Sequence, residues 1–152
     1  GARPVSAPPS RLVIATANIN TYGRADRFDI TRGTGTGDGL LFAPSHEILA
    51  PAIAARKQAE KHLRAGNERQ AMAVEHKAWR EYEPKYVDEM RASARAHRDV
   101  WDRLLARDRV TLVCFCDLSK WPAGHCHRVV LAGLLVKFGA TYEGEIAQPT
   151  LF

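Results

Sequence analysis

Residues 110–146 read VTLVCFCDLSKWPAGHCHRVVLAGLLVKFGATYEGEI. Val110 to Cys116 is apolar almost throughout, the pattern of a central strand covered on both faces. Asp117 to Gly124 leaves it as a loop. His125 to Phe138 then carries Val129, Val130, Leu131, Leu134, Leu135 and Phe138 at helical spacing, and Gly139 stands where a left-handed cap closes a helix. Ala140 to Ile146 follows at once as a last strand. Strand, helix and strand joined by short links form a parallel crossover unit. The fold class is therefore α/β, a mostly parallel sheet flanked by helices.

Upstream, Arg11 to Ala17 (RLVIATA) reads as a buried strand, and Arg27 to Thr31 (RFDIT) as a second, with Phe28 and Ile30 on one face. Arg32 to Gly39 (RGTGTGDG) holds four glycines in eight residues and is expected to be a mobile loop without regular structure. Ser45 is placed to cap a helix with Glu47 in its first turn. Pro51 is expected to kink or restart that helix, and Gly66 to end it. Asn67 and Gln70 open the next one as a capping box. Pro84 is expected to break its stripe of Val74, Ala78, Trp79 and Tyr82. The stripe resumes through Val87, Met90, Ala94, His97, Val100, Trp101, Leu104 and Leu105. Trp79 and Trp101 read as core packing. These helices form an insertion between the N-terminal strands and the C-terminal strand-helix-strand unit.

The chain has 152 residues, 45% hydrophobic and 26% charged, which suits one domain with a single core and excludes collagen or a disordered chain. The expected division is a lead-in at 1–10, one domain at 11–146 and a tail at 147–152. Three cysteines, all between positions 114 and 126, suit a reducing compartment better than a disulfide framework, so a cytoplasmic protein is expected. No run approaches the length of a membrane span, and Gly1 to Ser10 lacks the apolar core of a signal peptide. The formal charge of +5 and a pI near 9.4 allow a polyanionic partner without requiring one.

In open parallel sheets ligands bind beyond the carboxyl ends of the strands. Cys114, Cys116, His125, Cys126, His127 and Arg128 fall there, with His125 to Arg128 as the first helical turn. Three chemistries compete. A helix N-terminus with two histidines and an arginine suits a phosphate-bearing ligand, a nucleotide or nucleic acid. Cys126 as nucleophile with His127 as base suits a cysteine-dependent hydrolase or transferase. Cys114, Cys116, His125 and Cys126 suit zinc by residue type, although their spacing matches no standard knuckle. Asn18, Arg32 and Ser45 join the ligand-binding set, Arg32 and Ser45 because both follow strand-exit loops that should reach the same sheet edge.

The strand Cys114-Phe115-Cys116, the tetrad His125-Cys126-His127-Arg128 and the helix Leu131 through Gly139 together resemble the signature of the family of unknown function called DUF488. RLVIATAN, DITRG with Arg32, and FAPSHEIL resemble its N-terminal half, so the likeness covers roughly residues 11–146. Trp121-Pro122 and Thr34 to Gly39 depart from the pattern and bear on access to the pocket. The resemblance implies an α/β fold and no established reaction. Similar short members are often found in bacteriophages, which implies the host cytoplasm as a location. At the C-terminus, Gln148, Leu151 and Phe152 resemble the bacterial sliding-clamp-binding pentamer, with Pro149 and Thr150 departing from it. The functional expectation is a small DNA- or nucleotide-associated protein with an anion pocket, recruited to a clamp by its tail. The alternative is a non-enzymatic phage adaptor that modulates host replication.

Overall fold

The computed structural model describes residues 10–116, 121 and 125–147. Four strands form an all-parallel sheet: β1 (Val13–Asn18), β2 (Arg27–Asp29), β3 (Arg109–Cys114) and β4 (Thr141–Glu145), in the order β2-β3-β1-β4. The register pairs Asn18 with Cys114 at the carboxyl end of the two central strands. Their residues are buried on both faces, as the unbroken apolar runs require.

Four α-helices accompany the sheet: α1 (His46–Arg64), α2 (Glu68–Ala96), α3 (Arg98–Leu105) and α4 (His127–Lys137). The core lies between sheet and helices. Leu12, Ile14, Val110 and Leu112 meet Leu131 and Leu135 of α4, and Tyr86, Met90 and Trp101 from α2 and α3 complete it. Trp101 packs on Phe42 at 4.8 Å and donates through Nε1 to Ser93 Oγ at 3.1 Å. Gly66 and Gly139, both expected helix stops, have φ of 80° and 106°, a region that L side chains rarely adopt.

Several expectations are corrected. Pro51 and Pro84 sit inside α1 and α2, neither of which restarts there. Both prolines are exposed, as are Glu47 and Arg80, whose carbonyls lose their internal donor, while Tyr82 and Tyr86 anchor the turns flanking Pro84 in the core. The break falls instead at His97, between α2 and α3. Neither Ser45 nor Asn67 makes a side-chain cap bond, since the Ser45 hydroxyl donates to Glu89 across the fold. The glycine-rich stretch runs into a 3-10 helix, Gly37–Phe42. Gly39 packs so closely on β2 that a Cβ there would lie 2.1 Å from the Asp29 carbonyl oxygen. Its glycines serve close backbone approach as much as freedom. α4 begins at His127 with Cys126 at its N-cap, so His125 stands outside the helix.

Candidate functional site

At the carboxyl edge of the sheet β3 ends in Cys114, Cys116 follows it, and α4 starts at Cys126 and His127. The three sulfurs and a His127 ring nitrogen all lie within 4.8 Å of one another. Cys114 and Cys126 Sγ are 2.8 Å apart. His127 Nε2 meets the Ile30 carbonyl oxygen at 3.0 Å. A carbonyl only accepts, so Nε2 carries the proton and Nδ1, 4.0 Å from Cys126 Sγ, presents its lone pair to the sulfurs. The histidine of the cluster is thus His127, which corrects the expected zinc set. His125 lies before the helix and turns toward α2, stacking on Trp79 at 4.8 Å.

Arg128, 1% exposed, closes the cluster from below. Its Nε and Nη2 donate to Glu145 at 2.9 and 2.7 Å, and Nη1 donates to Cys114 Sγ and the Cys116 carbonyl, both at 3.0 Å. All three guanidinium nitrogens are engaged within the protein, so in this arrangement Arg128 is not an open phosphate ligand. It acts on sulfur. Burial opposes ionisation of the Cys114 thiol, but hydrogen bonds from Cys116 and Cys126 and the charge of Arg128 outweigh it and hold that thiol well below its ordinary range. Hydrogen bonding to that thiolate, with burial, pushes Cys116 up to about 12. Burial first, then the same neighbours, raises Cys126. These opposed directions favour ionisation at Cys114, to which Arg128 donates at 3.0 Å, over Cys116 and Cys126.

Above the sulfurs lies a cavity of ≈ 460 Å³ between α1, α2 and the loops after β2 and β3. Leu49, Ile53, Trp79, Tyr82 and Phe115 make its apolar wall, and Cys116, His125, Cys126 and His127 its chemical end. Arg56 and Glu75 also line it, joined as a bidentate pair at 2.8 and 2.6 Å. Burial lowers the pKa of His125, against the pull of nearby Glu75, so the ring is neutral near pH 7.

Of the residues expected at the site, Cys114, Cys116, Cys126 and His127 come together, and Arg128 supports them. Asn18 donates to the Cys116 carbonyl at 3.4 Å. Arg32 lines the cavity, yet it donates to the carbonyls of Leu40, Ala43 and Pro44. Ser45 is occupied by Glu89 and is not among the lining residues. Gln148, Leu151 and Phe152 lie outside the described residues. Sequence reasoning missed Arg56, Glu75, Tyr82, Phe115 and Glu145. A signal existed for Glu75, which falls on the helical stripe of Trp79, Tyr82, Tyr86 and Met90, where a carboxylate needs a buried partner.

A family model described as the active DUF488-N3 subclade matches residues 41–139. The chain belongs to the DUF488 family. The matched segment carries all four cluster residues and Arg128, while β1, β2 and β4, with Asn18, Arg32 and Glu145, lie outside it. No curated protein and no solved structure matches the chain. Among the described residues, no helix of this DUF488 protein is long and apolar enough to cross a membrane.

Proposed function

We propose that this DUF488 protein is a zinc-centred enzyme acting on a small organic molecule, with Cys114, Cys116, Cys126 and His127 as the metal ligands at the closed end of the cavity. The observation that carries the reading is the convergence of three sulfurs and one imidazole nitrogen within 4.8 Å. Three thiolates and an imidazole are a common zinc set, and a tetrahedral site spaces its donors by roughly 3.5 to 4 Å. Metal entry then asks the Cys114–Cys126 contact to open by about 1 Å. Three thiolates around a divalent ion leave one net negative charge, which Arg128 faces. Cys116 is half-buried, lines the cavity and is the sulfur best placed to meet a bound molecule.

Protein purified without chelator is expected to hold close to one zinc per chain, and cobalt in its place should give thiolate charge-transfer absorption. Cys126→Ala should lose most of the metal. A folded wild-type protein that neither retains nor takes up zinc overturns the reading.

The expectation of a phosphate at the start of α4 has weaker support, because Arg128 is engaged elsewhere. Association with nucleic acid rests on the charge of +5. The Gln148, Leu151 and Phe152 pattern supports a separate proposal, docking on a sliding clamp.

A further inference from the structure

Two buried polar atoms have no hydrogen-bond partner among the described residues: the Tyr82 hydroxyl and His125 Nδ1. Both residues line the cavity. Tyr82 is only 7% exposed, and its ring is held between Trp79 at 5.6 Å and Tyr86 at 6.0 Å, so the hydroxyl cannot swing to water without unpacking α2. His125 Nδ1 lies 3.4 Å from Glu75 Oε1 without hydrogen-bond alignment. Native proteins rarely leave such groups unmatched, and where one borders a cavity a ligand is a direct way to match it.

The rest of the wall defines what that ligand looks like. Arg56 and Glu75 satisfy each other, and Nε and Nη2 of Arg32 are engaged by the carbonyls of Pro44, Leu40 and Ala43, so these donors are not turned to an anion in the cavity. Phe115 presents aromatic surface, standing 52% exposed with nothing among the described residues covering that half, while Trp79 already carries the His125 ring stacked on one face. The volume falls in the range of small-molecule sites. We infer that the cavity binds an uncharged, planar heteroaromatic molecule, whose ring nitrogen or ring carbonyl accepts from the Tyr82 hydroxyl while a second polar edge meets His125 Nδ1. Phe115 takes one of its faces. A site built around a hydrogen bond rejects an isostere lacking the partner atom far more strongly than a purely apolar pocket does.

This names the substrate class of the cavity discussed above and rests on that reading only for the ligand being small; it does not require the metal. The test is calorimetric titration of the full chain with three probes: hypoxanthine, its nucleoside 5′-monophosphate, and indole, which has a similar flat body but no acceptor. Hypoxanthine should bind with a Kd of roughly 100 µM or tighter, indole at least about tenfold more weakly, and the monophosphate no more tightly than the free base. Tyr82→Phe keeps the ring and removes the unmatched hydroxyl, so its Tm should be equal or higher. It should weaken hypoxanthine about tenfold and leave indole unchanged. Equal affinity for indole and hypoxanthine, a Tyr82→Phe variant with unaltered hypoxanthine affinity, a tighter monophosphate, or no binding by any probe overturns the inference. Metal analysis of the same samples separates the two readings. Zinc-free protein that binds hypoxanthine removes the metal centre alone, and zinc-loaded protein that binds none of the probes removes this inference alone.

Discussion

Replacing Arg128 by Met keeps an unbranched apolar stem of similar reach and deletes the buried charge. Breaking a buried ion pair by removing one partner costs about 3 to 5 kcal/mol, mostly because the other charge is stranded. Glu145 retains 32% side-chain exposure, so water recovers part of that loss and the low end, about 3 kcal/mol, applies. The Cys116 carbonyl keeps a weak donor in Asn18 at 3.4 Å. Against these losses, Arg128 sits in the first turn of α4, where a cation opposes the helix dipole, and its removal returns roughly 0.5 kcal/mol. The pair wins, and the net expectation is a destabilisation of about 2 to 3 kcal/mol. Urea unfolding at neutral pH with reductant and chelator present measures it free of any metal contribution. Glu145→Gln alone strands the guanidinium and should also destabilise, whereas the double variant should be less destabilised than the sum of the two by at least about 1 kcal/mol. An Arg128→Met protein within about 0.5 kcal/mol of wild type, or strictly additive double-variant losses, would falsify the assignment of Arg128 to the support of the cluster.

Asp26 and Asp29 contribute stability that acid removes. Burial pushes both carboxyls up, but hydrogen bonds from Tyr22 and Thr111 to Asp26 and from Thr34 and Thr31 to Asp29, with nearby arginines, hold both below the usual value of 3.8. The contribution is therefore complete above about pH 4 and disappears as pH falls through the folded-state values. Unfolding free energies measured between pH 5 and 2 should drop more steeply for wild type than for an Asp26→Asn, Asp29→Asn variant; parallel slopes refute this. Gly39→Ala places a methyl 2.1 Å from the Asp29 carbonyl oxygen and should shift the backbone and unfold or severely weaken the domain. Gly133→Ala, in α4 with nothing within 4 Å of the new methyl, should stabilise by up to about 1 kcal/mol; thermal melts that rank the two alike contradict the packing. For the tail, a peptide ending in Gln148 to Phe152 is expected to bind a bacterial sliding clamp with micromolar affinity, about 8 kcal/mol, and to lose measurable binding with Leu151→Ala and Phe152→Ala.

The α/β class was legible because Val110 to Cys116 and the α4 stripe depend on local period alone. The cluster was legible as well, since strand alternation and a short return bring Cys114, Cys116 and Cys126 to one edge. The choice of histidine was not. It depends on whether α4 starts before or after residue 126: with the start at His127 that ring sits in the first turn beside the sulfurs, while His125 precedes the extended N-cap and leaves toward α2. The two prolines misled for a related reason: their effect depends on which face of the helix they occupy, and that is set by packing against the sheet. Arg56 and Glu75 escaped because each sits on an apolar stripe of a different helix, Ala52, Arg56, Ala59 and Leu63 on α1 against Glu75, Trp79 and Tyr82 on α2. Only the antiparallel closure of the two helices brings the charges together.

The imidazole of His127 takes its orientation from the main chain of residue 30, a peptide oxygen that every amino acid possesses. Substitution at position 30 therefore cannot delete the partner, and a sequence comparison has no letter by which to register it. What the chain must preserve instead is length: one residue added or lost between Phe28 and Arg32 moves that oxygen by a full strand step, and the ring loses its tautomer. In this protein the spacing of a short edge strand is itself a chemical instruction to a histidine almost one hundred positions away.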